Sequence, residues 1–337
     1  QKDIMYMLSV IIDWLEFTVL KCQLDTVMEI LELKIEDFSP LSKGRFGYHH
    51  QLKWNDGNVF IMFTSINDRV DADAKINEKS GIHVMITGQG CRQFSTSHNL
   101  NELIIALSAR DHVNFTRIDL AIDDYESHII NFTCIHDHAL RGHFTSRWSK
   151  WDEVNSRQTS SNEYLGRTMY FGSQQSDLFC RIYDKTLERK ANADEDIDTE
   201  WTRLELVYRK ERASMLVKYL VDGELSLGSL LKGTLKQYLR FLTPSRDSNK
   251  ARWPTAPWWE QLLEEVAPLK LTIKKEARTI EDMTSWVEQQ ISPTIAAIIK
   301  AHEGDLSWLR SILYSGAERL TQKHTDAIRQ YQKGLTA

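Results

Sequence analysis

Residues 115–124 read Phe-Thr-Arg-Ile-Asp-Leu-Ala-Ile-Asp-Asp. The alternation is that of an extended strand. Thr116, Ile118, Leu120 and Ile122 fall on one side, and Phe115, Arg117, Asp119, Ala121 and Asp123 on the other. The first side is strongly apolar and belongs against a core. The second carries charge in a strand that otherwise reads as central, and charges are seldom buried without partners. Asp119 and Asp123 are about 13 Å apart in a straight strand, too far to share one cation unless the strand bends. Either Arg117 neutralises Asp119 on a solvated face, or the acids serve a site.

Two later stretches repeat the pattern. Leu178-Phe-Cys-Arg-Ile-Tyr-Asp-Lys185 puts Phe179, Arg181, Tyr183 and Lys185 on one face. It is the return strand of a hairpin that enters at Thr168-Met-Tyr-Phe-Gly and turns at Ser173-Gln-Gln-Ser-Asp. Trp201 to Arg209 puts Trp201, Arg203, Glu205 and Val207 on one face.

Working outward, residues 11–20 read as a first strand, with Asp13 and Glu16 on opposite faces. Leu24 to Leu33 has helical spacing. Two strands, 47–54 and 58–64, flank the turn Asn55-Asp56-Gly57. Residues 67–80 read as an exposed loop and 81–87 as a strand. Gly88-Gln-Gly-Cys-Arg92 follows, a turn or a loop whose amides approach a phosphate with Arg92 assisting. Asn99 caps a helix to Arg110. A helix over 131–143 is expected. Residues 144–164 show no period, and 194–198 form an acidic loop. Beyond residue 210 only helices are expected, around a basic, breaker-rich joint at 244–257. The order implies an α+β fold: a central, mainly antiparallel sheet with flanking helices, followed by a helical C-terminal region. Domains are expected at 1–245 and 246–337.

The chain has 337 residues and a net charge of −5. That balance does not advertise a nucleic-acid binder, so any such surface must be local. Residues 203–252 hold eleven Lys/Arg against five Asp/Glu, with Tyr238, Trp253, Trp258 and Trp259 in or beside them. Bases stack on such aromatics; a solvated helix face packed by its aromatics explains them equally. Four scattered cysteines without a CxxC pair read as free thiols of a reducing cytosol. No apolar run reaches membrane-spanning length, and the apolar start lacks the basic flank of a signal peptide. A cytoplasmic chain with no membrane partner is expected. Its first residue is Gln1, which reads as a fragment of something longer.

Carboxylates clustered without a Cys/His set favour a hard cation, Mg²⁺ or Mn²⁺, with Glu205 and one Asp the easier pair to bring together. Arg, Lys and Tyr beside them suit a phosphate ester. Neighbouring positive charge activates a tyrosine such as Tyr183 as a covalent nucleophile; β-propensity alone also accounts for a strand tyrosine. Ser173 and Ser176 either hold phosphate or cap their turn. His136, His138 and His143 have a superficial metal spacing, but i, i+2 side chains diverge on a helix. His49-His50 reads as a strand pair, and His83 as a core or site-facing histidine.

Six motifs occur in one order: Ile12-Asp-Trp-Leu, Gly88-Gln-Gly-Cys-Arg, Arg117-Ile-Asp-Leu-Ala-Ile-Asp, Tyr170-Phe-Gly-Ser-x-x-Ser-Asp, Arg181-Ile-Tyr-Asp-Lys and Trp201-Thr-Arg-Leu-Glu. Together they resemble the Rep_trans-type replication initiation factors over residues 11–210. That family includes initiators of rolling-circle plasmids and the MOBT relaxases of integrative and conjugative elements of Gram-positive bacteria. Arg252-Trp-Pro-x-x-Pro-Trp-Trp and Thr284-x-Trp286 are similar to the relaxase branch. The resemblance implies a metal-dependent nicking enzyme whose tyrosine stays joined to the 5′-phosphate and leaves a free 3′-OH. It implies Tyr183 as nucleophile with Tyr170 in reserve, and Asp119, Asp123 and Glu205 as acidic metal ligands, the cation being Mn or Mg. It implies DNA contacts from Arg92, Arg117, Ser173, Arg181, Lys185 and Arg203. Origin DNA, single-stranded or hairpin, is the implied partner, with a helicase and a coupling protein, and no nucleotide cofactor. Relaxase-branch members often carry an N-terminal helix-turn-helix domain, which this segment lacks. It also lacks the His-hydrophobe-His motif of other nickases. The function expected is nicking and strand transfer at an origin of transfer, and three other readings remain: a plasmid or phage replication initiator with the same chemistry, a metal nuclease that uses water, and a DNA-binding module without catalysis.

Overall fold

The computed structural model describes residues 8, 10–192, 199–223, 225–264 and 279–334. The acidic segment 194–198 lies outside them. The chain divides into two compact units, Gln1–Thr272 and Ile273–Ala337.

In the first unit, β1 (Val10–Val19), α1 (Leu24–Leu31), β2 (Phe38–Pro40), β3 (His50–Trp54), β4 (Val59–Phe63), β5 (Ile82–Ile86), α2 (Gly88–Phe94) and α3 (Leu100–Ser108) make the first half. The second half contains β6 (Val113–Tyr125), α4 (Phe132–Leu140), β7 (Phe144–Ser146), β8 (Trp151–Arg157), β9 (Tyr164–Phe171) and β10 (Leu178–Asp184). It continues with α5 (Lys185–Asn192), β11 (Trp201–Arg209), α6 (Glu211–Val221), α7 (Leu227–Tyr238), β12 (Leu239–Phe241) and α8 (Pro257–Leu263). Ten strands form one sheet in the order β2-β3-β4-β5-β1-β6-β11-β10-β9-β8, and β12 pairs with β7 in a second, small sheet. All the pairings are antiparallel. Each half opens with a strand and a helix, then runs through an antiparallel meander whose last strand returns beside the first. The two opening strands, β1 and β6, pair at the centre.

One face of the sheet carries Leu15, Phe17, Ile118, Leu120, Leu204, Leu206 and Tyr208. These join the apolar faces of α1, α3, α6 and α7 in one core. Burial of these aliphatic side chains is the dominant favourable contribution to folding. The helix caps follow ordinary chemistry: Asn99 accepts from the Asn101 and Glu102 amides, and Asn131 from the Cys134 amide.

Two irregularities between β1 and β6 change which residues face the core. Ile12 pairs with Leu120 and Trp14 with Asp119, so Asp13 is an extra residue on β1. This bulge turns Asp13 to the same face as Trp14 and Glu16, not the opposite one. Glu16 pairs with Arg117 and Phe17 with Phe115, so Thr116 is the extra residue on β6. Phe115 therefore joins the core, its ring 6.5 Å from that of Phe17.

Other expectations are also corrected. Gly88–Arg92 is the start of α2 rather than a loop. The Thr87 hydroxyl caps it by accepting from the Gly90 amide. Gly90 is required there, since a Cβ would stand 2.2 Å from the Asn58 carbonyl oxygen. The aperiodic stretch 144–164 contains β7 and most of β8 and its turn. Leu239–Phe241 is a strand, not the end of a helix. The chain packs back across residue 245: Trp259 of α8 is fully buried, its ring 5.0 Å from Phe241 and its indole N–H donating to the Leu239 carbonyl.

The second unit contains α9 (Ile280–Trp286), a π turn at Val287–Ile291 that runs into α10 (Ser292–Ala301), then α11 (Ser307–Ala317) and α12 (Gln322–Gly334). The helices expected over 280–301 and from 305 onward are therefore present.

Candidate active site

The other face of the sheet gathers the charged residues. Antiparallel register sets Arg181 opposite Glu205 and Tyr183 opposite Arg203. It also sets Glu205 opposite Ala121 and Arg203 opposite Asp123. Ala121 is the small member of the row Asp119, Ala121, Asp123, and Glu205 lies across from it.

Glu205 is fully buried. The Tyr183 hydroxyl donates to its Oε1 at 2.5 Å, and Arg181 Nε donates to its Oε2. Burial alone would raise the Glu205 carboxyl. The Arg181 charge, the Tyr183 hydrogen bond and the Arg203 charge outweigh it and hold Glu205 below the ordinary carboxylate value. Tyr183 is 8 % exposed. Burial first, and the Glu205 charge second, hold its phenol well above 10. At rest this pair is therefore a phenol hydrogen-bonded to a carboxylate.

Arg203 is the buried hub. Its Nε and Nη2 donate to the two oxygens of Asp123, each at 2.6 Å. Its Nη1 donates to Asp13 Oδ1 at 2.6 Å and stands 3.9 Å from Glu205 Oε1. Asp123 also accepts from the Trp201 indole at 2.7 Å. Arg117 grips Asp119 through two hydrogen bonds, at 2.9 and 2.6 Å. Burial raises the Asp119 carboxyl, and these arginine contacts oppose the rise. Asp13 is only 5 % exposed. Burial, then the negative charge of Glu205, pushes it up to about 7 against the pull of Arg203 and Arg92.

A cleft of about 820 Å³ opens onto this cluster. Tyr183, Tyr170, Arg181, Lys185, Arg92 and Asp13 all line it. The strand ends at Asp184, so Lys185 opens α5 instead of continuing the face of Tyr183. Its amine still lies 5.3 Å from the Tyr183 ring centre and pairs with Glu188. Burial lowers its pKa, the Glu188 hydrogen bond opposes this, and the Arg203 charge lowers it further. Arg92 reaches Asp13 at 3.3 Å from α2. Tyr170 lies opposite Arg181 on β9, with its ring 6.3 Å from Phe179. Ser173 sits in the β9–β10 turn, where its hydroxyl accepts from the Gln175 amide, and it does not line the cleft.

The three acids expected to bind metal share a face, and an arginine holds each: Arg117 on Asp119, Arg203 on Asp123 and Arg181 on Glu205. Among the described residues no group of three or more His, Cys, Asp or Glu has the geometry to hold a metal ion. Of the histidines at 136–143, His138 contacts the Cys134 carbonyl oxygen at 2.8 Å and His136 lies 3.0 Å from Glu153. Asp13 and Glu205 have the oxygen donors that a hard cation takes, and in this structure each holds an arginine. Both are buried oxygen donors, both approach the same guanidinium nitrogen, and the charge on one raises the pKa of the other. Mg²⁺ typically takes one or two carboxylates and completes its shell with water and substrate phosphate. Asp13 was not among the expected site residues. Its signal was the motif Ile12-Asp-Trp-Leu, and the bulge that turns it inward has no local signature. The aromatics of the basic 203–252 stretch pack inside the protein: Trp259 is buried, Trp258 lies against Phe241, and Tyr238 against Trp148.

The sequence pattern described as replication initiation factor (Rep_trans) matches residues 113–313, and the rolling-circle replication initiation protein N-terminal domain matches residues 9–103. The boundary between them coincides with the boundary between the two halves of the sheet. A Bacillus subtilis protein that bears the name DNA relaxase NicK is 25% identical over 283 residues, 82% of this chain and 76% of that one. The structure of a rolling-circle replication initiator protein from Geobacillus stearothermophilus superposes with a TM-score of 0.66 at 33% identity, covering 79% of this chain and 99% of that one. With one pattern covering well over half of its length, and the charged row of β6, β10 and β11 inside that span, the chain belongs to the replication initiation factor family.

Proposed function

We propose that the chain nicks one strand of origin DNA by transesterification, with Tyr183 as the nucleophile. The observation that carries this is the hydrogen bond from the Tyr183 hydroxyl to the buried Glu205, at the floor of a basic cleft. The Tyr183 oxygen attacks phosphorus and the P–O3′ bond breaks. The phenol proton passes to Glu205 as the new P–O bond forms, since the phenol becomes acidic only then. Arg181 and Lys185 face the negative charge that builds on the phosphoryl oxygens. The Lys185 ammonium, with its pKa lowered by burial, supplies a proton to the departing O3′. The products are a 5′-phosphotyrosyl link and a free 3′-OH. Attack of a 3′-OH on that link reverses the step and rejoins or transfers the strand.

A divalent cation, Mn²⁺ or Mg²⁺, would be held by Asp13 and Glu205. Bound there, it would supply positive charge beside a phosphoryl oxygen. Arg203 positions Asp13, Asp123 and the nucleophile's neighbours. Arg92 lies at the cleft edge for phosphate contact. Arg117 and Asp119 brace Arg181, whose Nη2 lies 3.8 Å from Asp119. The names of the relatives, a rolling-circle replication initiator and a DNA relaxase, support a role at the start of rolling-circle replication; the reading extends this to conjugative transfer, with the nicked strand passed to a helicase and a coupling protein. No helix among the described residues is long and apolar enough to cross a membrane, and the reading places the chain in the cytoplasm.

Product analysis tests the chemistry. With labelled single-stranded origin DNA and Mn²⁺, the new 3′ end is extended by a polymerase and the 5′ end co-migrates with protein. A nick with a free 5′-phosphate would instead move a water-using nuclease to the front.

A further inference from the structure

Phe46 stands out by both exposure and backbone. It is 66 % exposed and held at φ 55°, a region that costs a bulky L residue about 1–2 kcal/mol. The loop is shaped to keep it there. Gly44 approaches the Tyr48 carbonyl so closely that a Cβ would stand 1.9 Å from its oxygen, and the Tyr48 amide donates to the Arg45 carbonyl at 3.0 Å. Gly47 takes φ 85°. The Tyr48 ring stacks 6.1 Å from His83, and Phe46 meets His83 edge-on at 5.6 Å. A strained apolar side chain that served the core would be buried; this one faces solvent. Backbone strain of this kind concentrates at functional sites. The loop's own sequence is basic: residues 39–54 contain Lys43, Arg45 and Lys53 and no Asp or Glu, in a chain of net charge −5, and Asp68 stands 3.3 Å from His50 at its edge.

The loop covers the Tyr183 side of the sheet, because His83 lies opposite Thr18, which shares a face with Trp14 and Glu16. Between the loop and the cleft, the same face carries two cation-on-aromatic pairs. Arg117, paired with Asp119, lies 4.3 Å over the half-buried Trp14 ring, and Arg209 lies 5.2 Å over Phe179, which is 3 % exposed, so there the guanidinium and not the ring meets solvent. Glu16 also lies on this line, but the Trp14 indole donates to it at 2.6 Å and His83 stands 3.6 Å away.

We infer that this face is a track for single-stranded DNA, running from the Tyr183 cleft across β6 and β1 to the 41–50 loop, with Phe46 as its outermost base platform. The inference deepens the nicking reading and rests on it for the identity of the strand. A sequence-tolerant single-strand groove uses charge for the backbone and exposed ring faces for the bases; the arginines along this face supply the first and Phe46 the second. From β10 to β5 there are four strand spacings, roughly 19 Å. That is about six nucleotides at the stacked rise of ~3.4 Å.

The test uses the full chain and fluorescein-labelled, random-sequence single strands of about 4 nucleotides, too short to span the track, and about 24 nucleotides. Anisotropy titrations compare the wild type, Phe46→Ala, Phe46→Trp and Arg45→Gln. Phe46→Ala is expected to weaken binding of the long strand by about 5- to 150-fold, the range for one lost stacked base, and to leave the short strand within about twofold. Phe46→Trp is expected to restore the affinity, and Arg45→Gln to weaken only the long strand. Equal affinity of wild type and Phe46→Ala for the long strand would overturn the track. So would an equal loss on both lengths, or tighter binding of a duplex of the same length that is equally sensitive to Phe46. Covalent capture of a labelled single-stranded origin DNA with Mn²⁺ is read in parallel. Its absence in the wild type counts against nicking, while the titrations still decide the track.

Discussion

Glu205 holds the hydroxyl of Tyr183 with one oxygen and the guanidinium of Arg181 with the other, so its removal acts on both chemistry and folding. Glu205→Gln keeps the shape and removes the charge. Adduct formation in a single turnover should slow by about 10²–10⁴-fold, the usual contribution of a positioned base. Denaturant unfolding should show a loss of about 3–5 kcal/mol, because buried guanidinium groups lose their counter-charge. A normal adduct rate would remove Glu205 from the proton path. Glu16 gives a pH-dependent case on the same face. Burial raises its carboxyl, but hydrogen bonds from His83 and Trp14 outweigh this and leave it below the ordinary 4.5. A group whose folded pKa is depressed stabilises above its unfolded pKa, and the benefit disappears as pH falls through the folded value. Glu16→Gln should therefore cost about 2 kcal/mol at pH 7, and the two proteins should converge in stability as the pH falls below 4.5 and through the lowered folded value. A gap independent of pH would contradict this. Tyr183, Arg203 and Glu205 could be seen in the sequence because alternation along a strand is local. Asp13 could not, because its direction depends on one extra residue relative to a partner strand more than a hundred positions away.

Short elements depend on contacts that sequence does not display. Gly88-Gln-Gly-Cys-Arg suggests a phosphate loop by its glycines, yet Gly90 is glycine because the Asn58 carbonyl presses on it. Gly90→Ala should push α2 off the β3–β4 turn and cost about 1–3 kcal/mol, as overpacking does. A thermal melt reads this, and an unchanged midpoint would mean that α2 is free to shift. Arg92 rides on α2, so nicking should weaken along with stability in this variant. The β7 and β8 strands escaped periodicity for a related reason. β7 has its partner in β12, nearly a hundred residues later, and β8 is an edge strand with exposed polar residues on both faces. Their pairing, not their composition, makes them strands. By contrast, Asn55-Asp-Gly between two apolar runs announced its hairpin by turn chemistry alone.

For the whole molecule, the decisive feature is a broad antiparallel sheet with the core on one face and charge on the other. The alternating strands established that much of the α+β class before any contact was known. The domain limit was less legible, because the breaker-rich joint at 244–257 looks like a linker. Its partners are non-local: Leu242 bridges to Thr255, and α8 packs Trp259 onto Phe241. A chain ended at residue 245 should therefore lose at least the ~3–5 kcal/mol of a deleted buried tryptophan. A chain ended at residue 272 should unfold cooperatively near the intact protein's midpoint. Equal stability of the two truncations would refute the assignment of α8 to the first unit.

The claim on which the function depends is that Tyr183, and not Tyr170, becomes joined to DNA. The direct measurement incubates wild type, Tyr183→Phe and Tyr170→Phe with labelled single-stranded origin DNA and Mn²⁺, resolves them on a denaturing protein gel, and maps the adduct peptide by mass spectrometry. The expected result is a shifted covalent band in wild type and Tyr170→Phe, carried on the peptide of β10, and no band in Tyr183→Phe. A covalent band that survives in Tyr183→Phe would contradict the account.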